Sequence, residues 1–114
     1  MRYLFLLLLT TACNPGNEHA REIAAQALPR YTTKLQLASL RTYEVSAGEL
    51  ASYYRTNPPA HGGHLVTYTC EVALPSPHMT TKAVFVDAAD SVREFIPERN
   101  LGLFAYEYGV DYRL

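Results

Sequence analysis

The chain has 114 residues, enough for one domain, and its 48% hydrophobic and 18% charged content excludes a wholly disordered protein. A net charge of −1, with only two lysines and no basic cluster, lacks the footprint that a phosphate backbone demands, so nucleic acid is not an expected partner. Two cysteines, Cys13 and Cys70, are too few for a disulfide scaffold, and the core must hold itself together.

Residues 1–12 carry a short positive start with Arg2, an apolar stretch over residues 3–9, and small residues over 10–12. That is the layout of a secretory signal peptide. The apolar run is far below the ~20 residues that span a bilayer as a helix. Loss of Arg2 with the leader leaves nine basic residues against eleven acidic ones. Small residues at Thr10 and Ala12 also suit an ordinary signal peptidase, which would leave a soluble periplasmic or secreted protein.

The stretch LTTAC resembles the lipobox of bacterial lipoproteins, with Thr10 where that class prefers leucine and Leu9 directly upstream. The resemblance covers the leader and Cys13 only. It implies that Cys13 becomes the new N-terminus, carrying diacylglycerol on its sulfur and acyl chains such as palmitate. Asn14 is not the aspartate associated with inner-membrane retention, so the resemblance further implies an outer-membrane anchor facing the periplasm. Residues 13–17 (CNPGN) read as a polar, turn-rich tether, followed by one domain over 18–114.

Within that domain, residues 18–28 (EHAREIAAQAL) predict a helix that stops before Pro29. Ala20, Ile23, Ala24, Ala27 and Leu28 share its apolar face. A strand follows over about 36–45. Leu35 and Leu37 alternate in phase with Tyr43 and Val45 while Ala38 and Leu40 break the phase, which points to a bulge. Ser46 and Glu49 have capping-box spacing at the start of a short helix that places Leu50, Tyr53 and Tyr54 together.

Residues 64–74 (HLVTYTCEVAL) alternate as a strand, with Val66, Tyr68, Cys70, Val72 and Leu74 on one face. PSPHM forms a loop, and TTKAVFVD returns as the partner of an antiparallel hairpin. The return strand is apolar on both parities at 83–86 and is therefore expected in the centre of the sheet. Residues 87–94 predict one or two helical turns. LFAYEYGVDYRL, with Phe104, Tyr106, Tyr108, Val110, Tyr112 and Leu114 on one parity, predicts a final strand. The sum is an α+β domain: a small antiparallel sheet of about four strands with one or two helices packed on one face.

Cys70 faces apolar neighbours in its strand, and any plausible hairpin register sets it opposite residues 84–86, so an inert core thiol is expected rather than a nucleophile. In HGGH, His61 and His64, together with His78, are metal-ligand candidates; the same run also reads as a loop whose glycines supply special dihedrals and whose histidines are wet. Asp87 and Asp90 (DAAD) read as N-terminal helix capping. No phosphate loop, nucleophile elbow or zinc-type cysteine pair is present in the sequence, and no cofactor is implied.

Tyr106, Tyr108 and Tyr112, with Tyr68 on a neighbouring strand, read as core packing or as an exposed binding face, because tyrosine joins an apolar ring to a wet hydroxyl. The expectation is a lipid-anchored, non-enzymatic protein-binding module of the bacterial envelope, with an adaptor, inhibitor or immunity-type role. Its partners would be the membrane, through the lipid, and an envelope protein. A periplasmic domain that binds a small ligand or glycan is the alternative. A hydrolase using His61 or His64 with an acidic residue is a third.

Overall fold

The structure is a computed structural model that describes residues 15–30, 32–73 and 76–111. Cys13 and the leader lie outside them. Helix α1 spans Pro15–Ala27 and is followed by a 3-10 turn, Leu28–Arg30. Pro15 opens the helix, where its fixed φ and missing N–H cost nothing. The segment 15–17 is thus the first turn of a helix, not the tether expected. Ala20, Ala24 and Leu28 are buried along one stripe with Ile23 packed beside them, as the spacing predicts.

Strand β1 is Thr33–Val45, helix α2 is Ala47–Ala51, and strands β2, β3 and β4 are Gly63–Val72, His78–Val86 and Val92–Glu94. Helix α3, Leu101–Tyr108, is the last helix or strand among the described residues. The strands form one antiparallel sheet in the order β1-β2-β3-β4. Register shifts in β1 on either side of Gln36 account for the phase break. They place Leu35 and Leu40 on the same side despite opposite parity. The Ser46 and Glu49 capping box is formed on both sides.

Helices cover both faces of the sheet rather than one. On one face, α1 packs against Val66, Tyr68, Cys70, Val84 and Val86. On the other, Leu50 of α2, Tyr53, Phe95 and Phe104 of α3 pack against Leu65, Ala83 and Phe85. The cause is in β2 and β3, where consecutive residues 65–66 and 83–86 are apolar, so each face needs a lid. Each valine, leucine or phenylalanine among them, when fully buried, contributes ~1.5–3 kcal/mol relative to exposure. As expected, β3 is an inner strand.

The C-terminal segment is the largest departure from the sequence reading. Residues 101–108 form a helix, not a strand. Leu101, Phe104, Ala105 and Tyr108 have helical i, i+3, i+4, i+7 spacing as well as carrying part of the even-numbered alternation, and the aromatic core on the open sheet face selects the helical alternative. Gly109, with φ of 67°, terminates it in the left-handed conformation that glycine adopts freely. At its start, the Asn100 side-chain amide and Arg99 Nε donate to the Ser52 carbonyl, binding α3 to the end of α2.

Residues 87–94 are likewise not helical. They form a tight hairpin turn and β4. Asp90 N–H donates to the Asp87 carbonyl, Asp90 takes a left-handed φ of 62°, and the Asp87 carboxylate accepts from the N–H groups of Ala89 and Ser91. This is a three-residue loop closed by a bulge, in which Asp tolerates the left-handed position. The two aspartates build a turn rather than capping a helix.

Candidate functional site

A cleft of about 580 Å³ opens at the end of the sheet where β1 finishes, β2 begins and β3 turns into β4. α1 supplies His19, β1 Glu44, α2 Glu49, and the hairpin turn Asp87 and Asp90, with Gly63 and His64 between them. The fold thereby joins the HGGH and DAAD motifs, which are distant in sequence. His64 sits in a cross-sheet row between Glu44 and Val86, and its Nε2 is buried with no hydrogen-bond partner among the described residues.

Three of the four carboxylates are already engaged. Asp87 holds the turn, Glu49 accepts from the Ser46 N–H, and Asp90 Oδ2 lies 2.8 Å from His19 Nε2. The hydrogen bond and negative charge of Asp90 raise the His19 pKa above 6.5. With the folded value raised, the pairing is complete below about 6.5 and is lost as pH rises through the folded pKa. Titration of His19 by nuclear magnetic resonance should therefore give a value above 6.5 that drops back toward it in Asp90→Asn.

The histidines do not converge. His61 is exposed and outside the cleft lining, while His78 bonds the Ser76 carbonyl at the far end of β3. His64 pairs with Val86 and His78 with Val72, eight residues apart along β3, or about 26 Å at ~3.3 Å per residue. Among the described residues no group of three or more His, Cys, Asp or Glu could hold a metal ion. The glycines of HGGH have no positive φ; their role is close backbone approach. A Cβ on Gly63 would lie 2.6 Å from the Val86 carbonyl oxygen, and one on Gly62 would collide with the Val45 carbonyl.

Cys70 is a buried free thiol whose pKa is pushed up by burial. Its register partner is Thr80, not residues 84–86, because the hairpin closes between Val72 and His78, nearer to Cys70 than expected. The surround is apolar all the same. Along its face it lies among Val66, Tyr68 and Val84.

The tyrosines fall on different surfaces once 101–108 is helical. Tyr68 is fully buried beneath α1, and Tyr108 is half-buried on the opposite face, 4.8 Å from Phe104 and 5.1 Å from Tyr43 between ring centroids. Tyr106 points outward and is 87% exposed; Tyr112 lies outside the described residues. No single face joins Tyr68 with Tyr106 and Tyr108. Residues missed by the sequence reading take their place: Leu103, one helical step from Tyr106, is 49% exposed, and Ile96, in the segment leading into α3, is 60% exposed.

α3 therefore carries large apolar side chains on both sides, with Gly102 and Glu107 beside them on the outer one. Phe104 is fully buried against Tyr53 and Phe95, each at 5.0 Å between centroids, while Leu103 and Tyr106 face solvent. No helix among the described residues is long and apolar enough to cross a membrane. Comparison of the chain with protein-family models, with curated proteins and with solved structures finds no match.

Proposed function

We propose that the chain is an envelope lipoprotein, anchored through Cys13 to the outer membrane on its periplasmic side, whose folded domain is a non-enzymatic protein-binding module. The partner is an envelope protein, and the role is that of an adaptor, inhibitor or immunity-type protein. One observation supports it above the others: the outer face of α3 presents Leu103 and Tyr106 to solvent on a helix whose inner face is already packed. Tyrosine is enriched at interfaces, and apolar anchors at their centres carry most of the binding energy.

Two measurements test this reading. Cys13→Ser is expected to move the protein from the membrane to the soluble fraction, and unchanged processing and membrane association would contradict the anchor. Capture from an envelope extract should return a discrete protein that is lost at least tenfold with Leu103→Ser and with Tyr106→Ala, the equivalent of at least about 1.4 kcal/mol. Glu22→Ala, on the exposed side of α1, should retain it. Equal capture by all four proteins would remove α3 as the docking surface.

A further inference from the structure

α2 and α3 cover only part of their sheet face, leaving a groove of about 410 Å³ between the half-buried, hydroxyl-bearing part of the sheet and the end of α3. That volume is within the ~300–1,000 Å³ usual for small-ligand sites. Its floor is polar: Thr69 and Thr81 are cross-strand partners whose Oγ1 atoms lie 3.0 Å apart. Arg41 lines one wall from β1, exposed and with no ion pair or hydrogen bond to its guanidinium among the described residues. Glu107 and the ring of Tyr106 line the other from α3, with Tyr43 between.

We infer that this groove binds a neutral oligosaccharide. A sugar ring carries hydroxyls that both donate and accept, and the groove offers the matching set: a guanidinium that only donates, a carboxylate that only accepts, and threonine hydroxyls that do both. A sugar also has a face of polarised C–H groups, which the electron-rich face of an exposed tyrosine attracts. Arg41 opposite Glu107 gives no net charge to favour an ionic ligand, and the threonine floor does not suit an apolar one. Glu107 keeps capacity for a ligand: the Tyr53 hydroxyl, its pKa pushed up to about 12 chiefly by burial, stays protonated and donates to Oε2 alone, at 3.3 Å.

The inference stands apart from protein docking on α3, although Tyr106 borders both surfaces. Amide shifts of the purified mature protein are measured during titration with chitotetraose, cellotetraose or maltotetraose, and with tetraglycine as the peptide counterpart. At least one saccharide should give saturable shifts centred on Thr69, Thr81 and Tyr106. Tyr106→Ala, a surface change that leaves the core intact, should weaken that binding about tenfold, Thr81→Val should weaken it several-fold, and Leu103→Ser should leave it unchanged. Absence of saturable shifts with all three saccharides would overturn the inference. So would shifts that survive Tyr106→Ala, or tetraglycine binding the same amides in preference to every sugar.

Discussion

Phe104→Ala is expected to destabilise the domain by about 3–5 kcal/mol, the range for removing a fully buried aromatic ring. Phe104 is 0% exposed and lies within 5.0 Å, centroid to centroid, of Tyr53, Phe95 and Tyr108, so its loss leaves a cavity bordered by three rings that cannot close without moving α3. Against a typical domain stability of ~5–15 kcal/mol, that is a large fraction. Urea unfolding would show it as a lower midpoint with little change in slope. Tyr106→Ala, two residues along but 87% exposed, should stay within about 0.5 kcal/mol of the parent. Similar costs at the two positions would mean that residues 101–108 do not form a helix with one buried side.

The second large effect is at the glycine pair of HGGH. Gly62→Ala and Gly63→Ala should each cost about 1–3 kcal/mol, the range for overpacking a site that cannot relax freely. At Gly62 the obstruction is backbone, the Val45 carbonyl and the start of α2; at Gly63 it is the Val86 carbonyl at 2.6 Å and the Phe85 ring at 2.8 Å. Gly102→Ala is the control with the opposite sign. Nothing lies within 4 Å of its added Cβ, and alanine in a helix is favoured over glycine by up to about 1 kcal/mol. Thermal melts of the three variants should therefore split, two downward and one unchanged or upward. A tolerated alanine at both 62 and 63 would return HGGH to the reading of a loose, wet loop.

Legibility in the sequence followed the uniqueness of each signal. The Ser46 and Glu49 capping box, the existence of the β2 and β3 hairpin and the alanine face of α1 were readable because each carries a strong local signal. The bulge in β1 was readable as a phase break. Residues 101–108 were not, because Phe104, Tyr106 and Tyr108 fit a two-residue period while Leu101, Phe104, Ala105 and Tyr108 fit a helical one. Gly109, immediately after Tyr108, was the available signal for a helix end. That one choice moved the candidate binding surface. It exchanged a tyrosine stripe on a sheet for the outer side of a helix, adding Leu103 and separating Tyr68.

The cleft between α1 and the hairpin turn was hidden for a different reason. Its groups come from four separated segments, and nothing local in His19 announces Asp90 as its partner. Aspartate is common to turns and helix starts, and the intervening Ala88 and Ala89 favour the helical choice. For Cys70 the environment was readable while the register was not. Register depends on where the hairpin closes, and one side of β2 is apolar over a run long enough to accept several pairings.

The central claim is that the outer side of α3 is covered by a partner protein. A photo-crosslinking amino acid placed in the full-length protein at 103 or 106, with position 22 on the exposed side of α1 as reference, tests it in intact cells. A discrete crosslinked species from 103 and 106 and none from 22 is the predicted result. The same products from all three positions, or none from 103 and 106, would contradict it.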